Sequence, residues 1–167
     1  MTKPKVLISD KMDPNAARIF EERGCKVHVK PGMSKDELIA CIGEYDGLAI
    51  RSATKVTKDV IEAATRLKVI GRAGIGVDNV DIPAASARGV VVMNTPFGNS
   101  ITTAEHAIAL MFALARQLPA ADARTQAGQW PKNDFMGVEV TGKTLGLIGA
   151  GNIGSIVAAR ALGLRMK

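Results

Sequence analysis

Short apolar runs rich in Val and Ile alternate with amphipathic stretches from Lys5 to about Thr95. This alternation is typical of a parallel β-sheet covered by helices. Strands are predicted at residues 5–9, 25–29, 47–51, 67–71 and 90–94. Because each run is short and rich in Val or Ile, each is typical of a buried parallel strand. Residues 1–98 are therefore predicted to form a flavodoxin-like parallel-sheet domain of the α/β class.

Capping residues mark where helices begin between these strands. Asp13, which precedes a proline, predicts the start of the first helix, and Ser34 with Glu37 forms a capping box for the second. Thr57 and Asp81 are the N-cap candidates of the next two helices, because their side-chain oxygens can accept hydrogen bonds from first-turn N–H groups.

The pattern changes after residue 98. Apolar residues at helical spacing predict a long amphipathic helix over residues 102–118, which opens with a capping box of Thr102 and Glu105 and continues loosely to Gly128. Farther along, residues 144–148 are predicted to form a strand that leads directly into a glycine-rich turn and a helix. This strand, turn and helix are the context in which a phosphate-binding turn is expected.

The turn contains a glycine triplet, Gly149, Gly151 and Gly154. In a dinucleotide-binding turn the first glycine permits the tight turn, the second lets a pyrophosphate approach the backbone, and the third lets helix and strand pack closely. The N–H groups of Asn152 and Ile153 are then donors to the pyrophosphate. Residues 99–167 are therefore predicted to begin a Rossmann dinucleotide-binding domain; a tight turn without a ligand is the alternative interpretation.

Composition excludes several classes of protein. The net charge is +6, but the basic residues are spread along the chain and the six aromatic residues are not interleaved with them, so no nucleic-acid partner is predicted. The longest apolar stretch, residues 107–115, is too short to span a membrane. Cys25 and Cys41 lack metal-type spacing, which favours reduced thiols in a cytoplasmic protein without a metal site.

The end of the third predicted strand distinguishes between two flavodoxin-like functions. A phosphate-accepting receiver domain needs an Asp there, but this chain has Arg51 and Ser52. A receiver is therefore excluded. Open α/β sheets bind ligands at the carboxyl ends of their strands, so a basic residue in this place favours an anion-binding site.

Several separated motifs follow one another along the chain, at residues 51–57 (RSATKVT), 71–81 (GRAGIGVDNVD), 94–100 (NTPFGNS), 104–105 (AE), 130 with 135–137 (W, FMG) and 142–146 (GKTLG). In this order, and with the glycine triplet, they resemble the D-isomer-specific 2-hydroxyacid dehydrogenases. The resemblance implies that residues 1–98 are the N-terminal part of a substrate domain. It also implies that residues 99–167 are the start of an NAD-binding domain with NAD as its cofactor, although this chain alone does not distinguish NAD from NADP.

The resemblance also implies the site residues. Those expected to face the substrate are Arg51, Ser52, Lys55, Arg72, Gly74, Ile75 and Gly76. Those expected to face the cofactor are Ile75, Asn99, Thr103, Gly149, Gly151, Asn152, Ile153 and Gly154. Many relatives have a threonine where this chain has Ile75, so only a backbone or van der Waals contact is expected there.

The implied activity is hydride transfer between nicotinamide and a small anionic 2-hydroxy or 2-keto acid. The family's catalytic Arg, Glu and His would lie beyond Lys167, so the chain is expected to be a truncated portion that is inactive alone. His28 and His106 are not expected to be catalytic. A homodimer or homotetramer is expected, in which a partner covers the apolar face of the long helix. A related enzyme acting on another 2-keto acid, a non-catalytic NAD sensor and an assembly module are the alternatives.

Overall fold

A computed structural model describes residues 3–167 of the chain. They fall into two units, Met1–Gly98 and Asn99–Lys167. The units divide between the same two residues as the two domains predicted from the sequence. That the first unit binds substrate and the second binds a dinucleotide stays a prediction at this point.

Five parallel strands form the sheet of the first unit. They are β1 (Lys5–Ile8), β2 (Lys26–Val29), β3 (Gly47–Ile50), β4 (Val69–Arg72) and β5 (Val91–Met93). Their order across the sheet is β2-β1-β3-β4-β5, and every neighbouring pair is parallel. This is the flavodoxin-like order of a doubly wound sheet. The predicted fold class is thus confirmed, with strands one or two residues shorter than predicted.

Four helices connect these strands: α1 (Pro14–Glu22), α2 (Lys35–Ile42), α3 (Lys58–Ala63) and α4 (Ile82–Ala87). Three of the predicted caps are confirmed. Asp13 accepts from the Asn15 N–H, Ser34 and Glu37 form the reciprocal capping box, and Asp81 accepts from the Ala84 N–H. Thr57 precedes α3 but its hydroxyl makes no capping hydrogen bond. That part of the prediction is wrong, because the Thr57 Oγ1 atom is buried without any partner.

The main core lies between the sheet and the helices α2, α3 and α4. Strand residues Leu7, Leu48 and Ile70 pack there with Ile42 of α2 and Ile61 of α3, and all five are at most 2% exposed. Burying a side chain of this size contributes about 1.5–3 kcal/mol relative to leaving it in water. The core therefore fixes the strands whose carboxyl ends carry the loops discussed below.

Asp46 ties the opposite, amino edge of the sheet together. It immediately precedes β3, and its carboxylate accepts hydrogen bonds from the Lys5 N–H at the start of β1 (2.9 Å) and from Arg66 Nη2 (3.3 Å). The hydrogen bond from Lys5, with a smaller contribution from the Arg66 guanidinium, holds the pKa of Asp46 below its ordinary value. This carboxylate is structural, because no candidate ligand residue lies at that edge.

The second unit contains three helices, α5 (Ser100–Ala115), α6 (Leu118–Gln126) and α7 (Asn152–Gly163). The predicted capping box of Thr102 and Glu105 is wrong: α5 begins at Ser100, so Thr102 already lies inside it and forms no cap. Glu105 pairs with Arg160 of α7 instead (2.9 Å). The helix ends before Gln117, which adopts a left-handed conformation (φ 53°), and a proline at the start of α6 cannot continue the hydrogen-bond ladder.

The predicted strand at residues 144–148 is not formed as a regular strand. Only Thr144 is bracketed by main-chain hydrogen bonds, from Lys167 N–H to Lys143 C=O (2.8 Å) and from Leu145 N–H to Lys167 C=O (2.7 Å). This is the hydrogen-bond pattern of a parallel pair. The rest of the segment has no neighbouring strand among the residues described, and Ile148 is fully exposed.

Two further features concern membrane spans and cysteines. No helix in the described part of the chain is both long and apolar enough to cross a membrane. Within the same residues, Cys25 and Cys41 are free, half-buried thiols.

Candidate functional site

The loops after β3 and β4 bring most of the predicted substrate residues together. The two strands are paired in parallel, with Ile50 opposite Arg72. Arg51 and Ser52, which follow Ile50, therefore lie beside the start of the glycine-containing loop that follows Arg72. Both loops stand at the carboxyl edge of the sheet, where open α/β proteins bind their ligands.

The residues after β3 present basic and polar groups to solvent. Arg51, Ser52 and Lys55 are exposed, and neither basic side chain forms an ion pair within residues 3–167. The guanidinium of Arg51 makes one hydrogen bond, from Nη1 to the Lys11 carbonyl (3.3 Å). Its remaining donors are therefore available to an anion, and a guanidinium can bind a carboxylate or phosphate through two parallel hydrogen bonds.

Arg72 is arranged differently from Arg51. Its side chain is only 13% exposed, and its guanidinium donates to the carbonyls of Gly76 and Arg51 and pairs with Asp78 Oδ1 (3.1 Å). A Cβ atom on Gly76 would lie 2.8 Å from the same Asp78 oxygen, so a larger residue there would require the Asp78 side chain to move. The guanidinium of Arg72 is thus directed into its own loop; direct binding of substrate by Arg72 stays a prediction.

The loop after β4 has the carbonyls of Gly74, Ile75 and Gly76 bound, and the N–H groups of Ile75 and Gly76 free. The Gly74 carbonyl accepts from the Thr95 N–H (2.9 Å), and the Ile75 carbonyl accepts from Asn94 Nδ2 (2.6 Å). The N–H groups of Ile75 and Gly76 donate to no acceptor in the described chain. A loop that holds its carbonyls inward and leaves successive N–H groups free is an anion-binding arrangement.

Sequence reasoning missed four residues that support these loops. Asn94 and Thr95 hold the carbonyls of the loop after β4, and Asp10 and Asn79 bind the main chain after β3. Asp10 lies two residues after the end of β1, so its position at the same edge of the sheet was the available signal. The other three lie inside motifs that the sequence singled out, but nothing in a motif shows which way a side chain points.

The second unit carries the glycine triplet, and each glycine has a distinct geometric reason. Gly149 has a φ of 97°, which side chains rarely tolerate. A Cβ atom on Gly154 would collide with the Gly149 carbonyl. A Cβ atom on Gly151 would meet nothing within 4 Å, so open space lies beside the backbone there. Turn, close packing and open approach are the three properties that a dinucleotide-binding turn requires.

The helix after the triplet has unused donors at its start. Gly151 is the N-cap of α7, and its carbonyl accepts from Ser155 N–H (2.9 Å). The N–H groups of Asn152 and Ile153 have no intrahelical acceptor, because they belong to the first turn. These free donors, the positive end of the helix dipole and the space beside Gly151 fit a pyrophosphate. The residues present therefore fit a dinucleotide cofactor.

Asn99 and Thr103 lie at the start of α5. Asn99 is the N-cap residue but makes no capping hydrogen bond with its side chain, and its carbonyl accepts from the Thr103 N–H (2.9 Å). Both residues are exposed, so their side chains are available to a ligand. Their contact with the cofactor stays a prediction. No group of acidic, histidine or cysteine residues that could hold a metal occurs in residues 3–167.

Fold and site together define a two-unit α/β protein with a loop edge that fits an anion in one unit and a glycine turn that fits a dinucleotide in the other. The chain belongs to the D-isomer specific 2-hydroxyacid dehydrogenase family, whose catalytic-domain model matches residues 6–160. The family resemblance inferred from the sequence is thus confirmed.

Among its relatives are proteins named D-3-phosphoglycerate dehydrogenase. The chain is 51% identical to one from Archaeoglobus fulgidus over 97% of its own length, and 52% identical to one from Rattus norvegicus over 98%. It spans 31% of the length of each. It is also similar to the structure of NAD⁺-bound 3-phosphoglycerate dehydrogenase from Entamoeba histolytica, with 32% identity and a TM-score of 0.78, over 99% of this chain and 53% of that one.

Proposed function

We propose that the complete protein carrying this chain is an NAD-dependent D-3-phosphoglycerate dehydrogenase, which interconverts 3-phosphoglycerate and 3-phosphohydroxypyruvate in serine biosynthesis. The observation that carries the proposal is the loop edge of the first unit. There, the free N–H groups of Ile75 and Gly76 lie in the loop after β4. The guanidinium of Arg51, which forms no ion pair, lies in the loop after the neighbouring strand β3. A substrate with a carboxylate at one end and a phosphate at the other needs both kinds of donor.

The residues divide the work of binding. The N–H groups of Ile75 and Gly76 suit the carboxylate, because main-chain donors in a fixed loop bind it without moving. Arg51 and Lys55, with the hydroxyl of Ser52, suit the phosphate. Arg72 acts as a positioning residue, since its guanidinium holds the Gly76 carbonyl inward and so leaves the N–H groups of the loop free.

The glycine triplet with Asn152 and Ile153 would hold the pyrophosphate of NAD. When bound, the nicotinamide ring supplies the hydride donor or acceptor that the reaction needs. The NAD⁺ in the Entamoeba histolytica structure supports NAD rather than NADP. The small anionic substrate is in turn consistent with the net charge of +6, which favours the approach of anions.

We expect the complete protein to oxidise NADH when 3-phosphohydroxypyruvate is added, with a kcat of about 1–1,000 s⁻¹. Unphosphorylated hydroxypyruvate should need a much higher concentration, because Arg51 and Lys55 lose their phosphate partner. NADH absorbance followed over a range of substrate concentrations measures both, and NADPH serves as the cofactor control. Faster turnover with glyoxylate or hydroxypyruvate would assign the protein to another 2-hydroxyacid, and NADH binding without any turnover would make it a sensor.

The 167-residue chain assayed in parallel is expected to bind ligands without turnover. Neither of its histidines follows a strand into the substrate loops. His28 lies on the edge strand β2, where Nδ1 contacts the Tyr45 hydroxyl (2.9 Å), and His106 lies exposed on α5. Neither histidine therefore accompanies the anion-binding donors of the first unit as a general base.

A homodimer or homotetramer is also proposed. Ile101, Leu110 and Leu114 on α5 are exposed, the last by 83%. The sequence pattern predicts a different face of this helix, Ala107, Ile108, Met111 and Ala115, of which Ile108, Met111 and Ala115 are already half-buried. Covering several hundred Å² of such surface contributes several kcal/mol at about 25 cal/mol per Å², before the costs of association.

Leu114→Glu is therefore expected to shift the complete protein toward monomer, because it places a charge in the proposed interface. Sedimentation equilibrium measures the change. Val29→Glu, an exposed apolar residue on the edge strand β2, is the matched control and should leave the assembly intact. A wild-type monomer, or the same shift in both variants, would contradict the assignment of α5 as the interface.

A further inference from the structure

A buried carboxylate follows β1 and has no cationic partner. Asp10 is 4% exposed and forms no ion pair within the described residues. It accepts hydrogen bonds from the Arg51 N–H (2.5 Å), the Thr54 N–H (3.0 Å) and the Thr54 hydroxyl (2.6 Å). A buried charge is tolerated only when such donors replace water. All the donors that stabilise Asp10 come from residues 51 and 54.

Asn79 binds the same two residues through their carbonyls. Its Nδ2 donates to the Arg51 carbonyl (2.8 Å) and to the Thr54 carbonyl (2.7 Å). These two acceptors fix the orientation of the amide, because a flipped amide would place its oxygen against both carbonyls. The Asn79 Oδ1 atom is then buried without a partner.

The two side chains thus hold the same segment, residues 51–54, at both of its ends. Asp10 accepts from the N–H groups of Arg51 and Thr54, and Asn79 donates to the carbonyls of the same two residues. Ser52 and Ala53 between them are exposed, and their N–H groups donate to no acceptor in the described chain. We propose that Asp10 and Asn79 are positioning residues that clamp residues 51–54 so that Arg51 and Ser52 meet the anionic substrate. The inference rests on the function proposed above.

The clamp matters because Arg51 has little else to define its position. Its guanidinium makes a single hydrogen bond, at 3.3 Å, and is otherwise exposed. The position of the main chain at residues 51–54 therefore sets the positions of the Arg51 guanidinium and the Ser52 hydroxyl. Because these groups contact the substrate only when the segment holds them in place, releasing the segment weakens substrate binding and so raises the KM.

The test uses isosteric variants in the complete protein. Asp10→Asn places an amide nitrogen against an N–H donor, and Asn79→Asp places an oxygen against two carbonyls. Each is expected to raise the KM for 3-phosphohydroxypyruvate about tenfold or more, with kcat within about twofold and the Kd for NADH unchanged. The double variant should raise KM little beyond either single variant, because both changes release the same segment.

Asp46→Asn is the matched control. Asp46 is also a carboxylate that accepts main-chain and side-chain hydrogen bonds, but at the amino edge of the same sheet. It should leave the KM unchanged while lowering the thermal midpoint. Amide hydrogen exchange at Arg51 and Thr54 should accelerate in Asp10→Asn and not in Asp46→Asn.

The clamp is overturned if Asp10→Asn and Asn79→Asp retain the wild-type KM, or if they lower kcat without changing KM. In both cases the proposed function would still hold, provided that the wild-type protein turns over 3-phosphohydroxypyruvate. A wild-type protein that turns over no 2-keto acid overturns the proposed function, and the substrate-positioning role falls with it.

Discussion

Gly151→Val is expected to weaken NADH binding by about 100-fold or more, a loss of roughly 2.8 kcal/mol, without unfolding the protein. Gly151 has a φ of −74°, which any residue adopts, and a Cβ atom there would meet nothing within 4 Å. The folded state therefore accommodates the larger side chain. That side chain would occupy the space beside the α7 N-terminus in which a pyrophosphate must approach the N–H groups of Asn152 and Ile153.

Fluorescence titration of the complete protein with NADH measures the effect, and circular dichroism checks the fold. Gly163→Val is the matched control, since it lies at the other end of α7 with open space around its Cβ position, away from the turn. It should bind NADH as the wild type does. Equal affinities for the two variants would mean that the glycine triplet is a tight turn and no more.

The first unit could be predicted from the sequence because its signals are local. Each strand is a short Val- and Ile-rich run, and a capping box such as Ser34 with Glu37 needs only residues three apart. Even the sheet order follows the rule for doubly wound sheets once five alternating units are recognised. Where the signal and the partner lie in the same segment, pattern alone predicted the structure.

The second unit departs from the pattern because its elements depend on partners. Residues 144–148 have the composition of a buried strand, but a strand needs neighbours, and only Lys167 hydrogen-bonds beside Thr144. The capping motif of Thr102 and Glu105 is likewise overridden, because the helix extends back to Ser100, and Glu105 pairs with Arg160, 55 residues away. The local sequence thus predicted the helix α5 but not its first residue, and it predicted a strand at residues 144–148 that the structure does not form.

The candidate site could likewise be predicted only in part. Its loops could be located from glycines and basic residues that follow strands, but the direction of each side chain could not. Arg51 and Arg72 are alike in sequence context, yet the structure leaves one guanidinium exposed and directs the other to Gly76 and Asp78. Asp10 escaped notice because it acts on Arg51 across 41 residues of chain, a contact that only the folded sheet creates.

Arg51→Ala is expected to raise the KM for 3-phosphohydroxypyruvate by about 10- to 100-fold while leaving the Kd for NADH unchanged. The guanidinium is far less engaged than that of Arg72, with one hydrogen bond to the Lys11 carbonyl. Its loss removes the proposed bidentate, charge-assisted hydrogen bonds to the substrate. Arg51→Lys should have an intermediate KM, because an ammonium restores the charge without the planar pair of donors.

The matched control for this substitution is Arg88→Ala. Arg88 is also an exposed arginine of the first unit that donates to one main-chain carbonyl, that of Glu62 (2.9 Å), but it follows α4, away from the substrate loops. It removes the same charge from the protein, so a general loss of anion attraction would raise the KM equally in both variants. A KM increase confined to Arg51→Ala therefore locates the phosphate contact. An equal increase, or a parallel loss of NADH affinity, would place Arg51 outside the substrate site and leave the net charge as the source of the effect.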